Sequence, residues 1–172
     1  MPIDSQNTIF DALMEAGEEF GIKPFGIRAM DSLRIEKSYR LVGTELSIEY
    51  AAYESGLDRF VHPNKGDFIG RDALVQWREK GFDNKFVTLE VHDVTDADAL
   101  GNNPIYQDGN VVGRATGGNY GFRIQKSIAL AMVNPKCAEP GTKLTMDILG
   151  TMHDVTVIEE SPYDPTNEKL RS

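Results

Sequence analysis

The sequence predicts an α+β protein, a partial α/β domain followed by a C-terminal antiparallel β-barrel. Three observations predict it. Apolar residues recur at helical spacing up to Gly81, alternation of apolar and polar residues takes over from Phe86, and about six short strand candidates then follow with no helix between them. The change of period places the expected boundary near residue 82, with residues 1–82 as one domain and 83–172 as the other. At 172 residues the chain can bury one good core or two small ones.

Thr8 and Asp11 suit a helix start, and Ile9, Leu13, Ala16 and Phe20 follow on one face as far as Gly21, a natural stop. The acids Asp11, Glu15, Glu18 and Glu19 are expected to face water. Pro24 and Gly26 break the chain before the run Gly26 to Gly43. There Ile27, Met30 and Leu33 suit one or two helical turns, while Ile35, Tyr39 and Leu41 suit a strand equally well. Residues 43–63 read as a loop leading into a short strand near Leu57 to Val61. Lys65-Gly66-Asp67 is a turn, and Ile69 to Lys80 reads as a helix with Leu74 and Trp77 three apart.

Beyond Gly81, residues 86–91 alternate, and Pro104-Ile105-Tyr106 leads into Asp108-Gly109, a hairpin signal, and then Val111-Val112. Residues 128–133, 144–149 and 155–158 are three further strands. Gly117-Gly118 is placed between strands, and the tail after Pro162 reads as a surface extension.

A net charge of −9 argues against nucleic acid or an anionic membrane surface as partner, since phosphate binding needs clustered Lys and Arg. The apolar runs are too short to span a bilayer and the first residues lack a signal core, so a cytoplasmic location is the simplest expectation. Cys137 is the single cysteine, and His62, His92 and His153 show no ligand spacing, so neither an internal disulfide nor a metal site is expected.

No nucleophile with a base and no nucleotide fingerprint stands out. Glu36 is the notable acid, because a carboxylate accepts the paired N–H donors of a pterin or purine edge; the alternative is a structural ion pair with Arg34, Lys37 or Arg40. Arg28, Arg34, Arg40 and Arg71 could clamp a ligand carboxylate, or serve as solvated or capping groups. Tyr39, Tyr120 and Tyr163 could stack on an aromatic ligand or close a core, and Arg123 and Lys126 could form a basic lip beside Tyr120.

The run Ser32-Leu33-Arg34-Ile35-Glu36-Lys37, then Gly43, then Asp67-Phe68-Ile69-Gly70-Arg71-Asp72-Ala73-Leu74 resembles the glycine cleavage T-protein family. The opening IFDALMEAGEEFGIKPFG and the strand SIALAMV extend the likeness in family order over nearly the whole chain. Thr116-Gly117-Gly118-Asn119-Tyr120-Gly121 and the ending Ser161-Pro162-Tyr163-Asp164-Pro165 resemble the dimethylglycine and sarcosine dehydrogenase branch. The resemblance implies a C-terminal portion of the family fold, with its true C-terminus present. It implies tetrahydrofolate as the cofactor and one-carbon transfer from an amine-type donor. With tetrahydrofolate as the ligand, Arg28, Glu36, Tyr39, Arg71 and Tyr120 are the binding candidates that the residue types offer.

The family's catalytic acid and a second folate-binding carboxylate lie upstream of the matching region, so no catalytic residue is expected in these 172 residues. An upstream catalytic or oxidase module is an expected partner. A homo-oligomer could cover apolar surface that an incomplete fold exposes. Family members carry an Arg directly before Asp31, where this chain has Met30, and Arg28 is the nearest substitute. A non-enzymatic, folate-binding accessory domain related to iron–sulfur assembly factors is a second reading. It ranks lower because Lys65-Gly66-Asp67-Phe68 carries Asp67 where those proteins have cysteine.

Overall fold

The computed structural model describes residues 2–94 and 96–172 of the chain. By compactness it separates into two units, residues 1–30 and 31–172. The first unit contains helix α1 (Gln6–Gly17), continued by a 3-10 turn over Glu18–Phe20. Gly21 ends it in the left-handed conformation that a residue without Cβ adopts at little cost, as the sequence suggests. None of its side chains is buried, and Phe10 and Leu13 are more than half exposed.

Helix α2 (Ile27–Glu36) begins in the first unit and ends in the second, so helix wins over strand for the first part of the central run. Its apolar pattern points the wrong way. Ile27, Met30 and Leu33 are 75%, 48% and 52% exposed, whereas Ser32, Ile35 and Glu36 are buried. The strand expected near 57–61 is instead a 3-10 turn over Asp58–Phe60, because Leu57 and Phe60 close a turn through the bond from the Phe60 N–H to the Leu57 carbonyl. Helix α3 (Arg71–Lys80) starts after Gly70, which is left-handed, and stops at Gly81.

The barrel consists of β1 (Lys85–Val91), β2 (Pro104–Gln107), β3 (Asn110–Gly121), β4 (Lys126–Val133), β5 (Lys143–Ile148) and β6 (Thr151–Ile158). It is closed in the order β1-β4-β3-β2-β5-β6, and every pairing is antiparallel. Closure removes the unpaired edges that would otherwise template aggregation. Asp108 and Gly109 both take positive φ, as the two-residue hairpin requires, and Leu149 and Gly150 repeat the device between β5 and β6.

Alternation sorts β1 and β4 into two cores. Val87, Leu89 and Val91 of β1 and Ala129, Ala131 and Val133 of β4 join the main cluster, with Ile105, Met146 and Val155. The intervening Phe86, Ile128, Leu130 and Met132 pack outside with Ile35 of α2. Strand β4 is therefore buried on both faces, which is why it reads as an unbroken apolar run. Burying Ile35 completely contributes about 2 to 3 kcal/mol and docks the end of α2 on this outer cluster.

Gly117 and Gly118 lie inside β3, not between strands as expected, because that strand runs past a bulge near Thr116. A Cβ at Gly118 would approach Ala99 to 2.8 Å and the Ile128 carbonyl to 3.0 Å. Gly113 is tighter still: a Cβ there would overlap the Met132 carbonyl oxygen and stand 2.7 Å from the Val133 Cα. These are backbone atoms of a central barrel strand and cannot turn aside. Gly113→Ala is expected to destabilise the chain by about 2 kcal/mol or more, read as a drop in urea midpoint, with a Gly109→Asn turn variant as a near-neutral reference.

Candidate functional site

The second unit is organised at the end of α2. Ser38 takes a left-handed φ of 54°, and the Tyr39 N–H returns to the Arg34 carbonyl at 2.9 Å, closing the helix with a six-to-one cap. A serine here supplies something glycine could not. Its buried hydroxyl meets Thr88 Oγ1 of β1 at 2.7 Å and accepts from the Ser161 N–H at 2.9 Å.

Glu36, one residue before the cap, is 1% exposed. Its Oε1 accepts from the N–H groups of Arg123, at 2.6 Å, and Ile124, at 3.2 Å, in the turn between β3 and β4. The structural partner is thus a pair of backbone amides, not the cation that the sequence suggested. Gly121 leaves room for the carboxylate, since a Cβ there would meet Glu36 Oε1 at 3.0 Å. Lys37 donates through Nζ to the carbonyls of Tyr163 and Asp164, at 3.2 and 2.6 Å, and to Asn167 Oδ1 at 2.7 Å. The tail after Pro162 is mostly exposed, the surface extension that the sequence suggests, and Lys37 pins it to the end of α2.

A cleft of about 510 Å³ opens beside this corner, lined by Lys37, Tyr39, Arg40, Leu57, Arg59, Phe60 and Glu160 among others. Arg40 stacks 3.8 Å from the centroid of the Phe86 ring and donates to both oxygens of Glu160 at 2.8 Å and to the Ser55 carbonyl at 2.8 Å. This makes Arg40 a rigid wall. Arg59 lies over the Phe60 ring, 4.7 Å from its centroid, and among the described residues has no ion-pair partner. With Lys37, Arg40 and Arg59 against Glu160, the cleft carries an excess of positive charge in a chain of net charge −9.

Of the five expected binding residues, Tyr39 alone lines this cleft, half exposed with Lys37 5.9 Å from its ring centroid. Glu36 is turned beneath the β3–β4 turn. Arg71 donates to the Pro63 carbonyl at 2.8 Å and to Asp72 at 2.9 Å in the first turn of α3. Tyr120 sits on β3 in edge contact with Phe122, and its carbonyl accepts from Ser32 Oγ at 2.7 Å. Arg28 is exposed on α2 within the first unit. Arg123 reaches the Tyr163 hydroxyl at 3.3 Å, and Lys126 pairs with Glu90 at 2.7 Å, so neither forms a lip at Tyr120. The sequence reading missed Arg59 and Phe60, whose adjacency in a turn is the only signal they carry.

A second buried acid, Glu45, is fully enclosed. It accepts from the Leu41 N–H at 2.9 Å, from Thr44 Oγ1 at 2.6 Å and from Thr116 Oγ1, with Arg34 Nη1 3.8 Å away. Burial pushes this carboxyl up, but the hydrogen bonds from Thr116, Thr44 and Leu41 outweigh it and hold the group below its ordinary value of 4.5. Among the described residues no cluster of His, Cys, Asp and Glu could hold a metal, and no helix is long and apolar enough to cross a membrane.

Comparison with known proteins adds the following. Residues 1–65 match the GCVT N-terminal domain, and residues 84–164 match the glycine cleavage T-protein C-terminal barrel domain. The chain is 39% identical over 166 residues to mitochondrial dimethylglycine dehydrogenase of Homo sapiens, covering 95% of this chain and 19% of that one. It is 30% identical over 175 residues to an aminomethyltransferase of Caldanaerobacter subterraneus subsp. tengcongensis, covering 98% of this chain and 45% of that one. The crystal structure of glycine cleavage system aminomethyltransferase T from Bartonella henselae superposes with a TM-score of 0.81 at 21% identity, over 96% of this chain and 45% of that one, a likeness of fold. The chain spans less than half the length of each of these relatives.

Two outcomes follow from the buried acids. Glu36→Ala strands the Arg123 and Ile124 amides and is expected to cost about 2 to 4 kcal/mol of stability, measured by urea unfolding. Because the Glu45 carboxyl is depressed in the folded state, its contribution is complete above the unfolded value and is lost as pH falls below 4.5 and through the folded value. Glu45→Gln is therefore expected to flatten the acid limb of the stability profile, read as urea midpoints compared with the parent chain across that range.

Proposed function

Because the chain belongs to the glycine cleavage T-protein family, we propose that it forms part of a tetrahydrofolate-dependent one-carbon transferase, taking an aminomethyl or methyl group from an amine-type donor. The dimethylglycine named in one relative and the aminomethyl group named in the others indicate the donor class. The observation that carries the reading is the pair of family matches, which run in order along the chain. The expected division at residue 82, into a partial folate domain and a barrel, is part of the same proposal.

The cleft at the end of α2 fits a folate. Tyr39 and Phe60 offer faces to a flat heteroaromatic ring, and the surplus of cations suits an anionic carboxylate tail. Tetrahydrofolate, when bound, supplies the amine that accepts the one-carbon unit. This chain's own groups bind and orient: Arg40 is immobilised by Glu160 and Ser55, Lys37 by the tail, and Arg59 is the cation placed to meet a carboxylate. Glu160 is held by Arg40, and the role proposed for this corner is positioning. Within the expected set the proposal keeps Tyr39, while Glu36 and Arg71 are engaged by their own chain. A non-enzymatic iron–sulfur accessory role finds no support among these relatives.

Calorimetric titration of tetrahydrofolate into the chain is expected to give saturable heat. Arg59→Glu is expected to weaken binding about tenfold or more, and Tyr39→Ala by a smaller factor, with thermal unfolding unchanged in both. No heat at high micromolar ligand would remove the folate reading.

A further inference from the structure

The cleft at the end of α2 draws its lining from three places. Leu57, Arg59 and Phe60 come from one, Tyr39 and Arg40 from a second, and the C-terminal tail supplies the third through Ser161, Pro165 and Asn167. We propose that Lys37 is a positioning residue for this cleft: it acts on a bound ligand through the tail, which it holds in place as a wall, and makes no bond to the ligand itself. The inference rests on the folate reading and deepens it.

No residue of 161–172 is buried, so the tail is not fixed by a core of its own. Hydrogen bonds set its place. In the first part the Ser161 N–H donates to Ser38 Oγ at 2.9 Å, Ser161 Oγ to the Lys37 carbonyl at 2.8 Å, and the Tyr163 N–H to the Glu36 carbonyl at 3.1 Å. Past Tyr163 the anchor is the Lys37 ammonium, which donates to the Asp164 carbonyl at 2.6 Å and to Asn167 Oδ1 at 2.7 Å, besides the Tyr163 carbonyl at 3.2 Å. The bonds from the Asn167 N–H to the Asp164 carbonyl, at 3.0 Å, and from the Lys169 N–H to Asp164 Oδ1, at 3.3 Å, stay within the tail. Pro165 and Asn167 thus stand at the cleft through the grip of one side chain.

An ammonium carries three hydrogens, and these three oxygens take them all. Lys37 has none left to give a ligand, which separates its role from that of Arg59. The three acceptors are neutral, so the positive charge stays at the cleft whether or not the tail is attached. Asn167 itself sits at a left-handed φ of 58°, a conformation that glycine adopts at little cost. Asn167→Gly therefore removes one acceptor from Lys37 without straining the backbone and without touching the charge. It also returns one hydrogen to Lys37. If Lys37 bonded a carboxylate ligand directly, this variant would hold or strengthen binding; if Lys37 works through the tail, the variant weakens it.

The test compares the parent chain with Asn167→Gly and Lys37→Met. Amide ¹⁵N relaxation is measured without ligand, and tetrahydrofolate affinity by calorimetry. In Lys37→Met the order parameters of Asp164, Thr166 and Asn167 are expected to fall from about 0.85 to below about 0.6, while those of β1 and β4 stay as in the parent. Tetrahydrofolate is expected to bind about threefold or more weakly to Asn167→Gly and about tenfold more weakly to Lys37→Met, with parental melting in Asn167→Gly. Should Lys37→Met melt early, Asn167→Gly, whose side chain bonds to Lys37 alone, decides the matter. An ordered tail in Lys37→Met would overturn the inference, as would parental or tighter binding in Asn167→Gly. No heat from the parent chain would remove the folate reading and this inference together; a parent that binds beside an unaffected Asn167→Gly would remove this inference alone.

Discussion

A carboxylate enclosed in protein must be met by donors, and in this chain that requirement is discharged by two amides of a strand turn. Glu36 draws the β3–β4 turn onto the end of α2, and its neighbours each make a different attachment. Ile35 enters the outer apolar cluster, Lys37 gathers the C-terminal tail, and Ser38 ties β1 to Ser161. Four consecutive residues thus join a helix, a strand, a turn and a tail, and the cleft exists because these parts are held in one place. On α2 the polar face is the buried one: Ser32 and Glu36 are paired with backbone partners, while Leu33 stays half exposed.

The barrel was legible in the sequence because its two signals are local. Alternation marks strands wherever one face meets a core, and Asp108-Gly109 reports a hairpin through backbone preference alone. Strand β3 was read too short because Gly117 and Gly118 carry no β preference; at Gly118 Ala99 and β4 leave no space for a side chain. That reason resides in residues far along the chain. The turn at Asp58–Phe60 was mistaken for a strand because a short apolar run fits both.

The candidate site was less legible than the fold. Glu36 was recognisable as the notable acid, yet its partner is backbone, which no side-chain pattern reports. Arg40 was recognisable as a cation near a core, while its bond to Glu160 spans 120 positions. Glu45 passed unnoticed in a loop because its donors, two threonine hydroxyls and an amide, are ordinary residues until the fold assembles them.

Strands β1 and β6 are hydrogen-bonded neighbours, with Leu89 opposite Val157 and Thr88 opposite Ile158. The polypeptide thus enters and leaves the barrel along one seam. A domain whose ends meet in this way can be spliced into or joined onto other polypeptides without breaking its own sheet. Such portability is in keeping with its relatives, where the region matching nearly the whole of this chain, barrel included, makes up 19% of one and 45% of another.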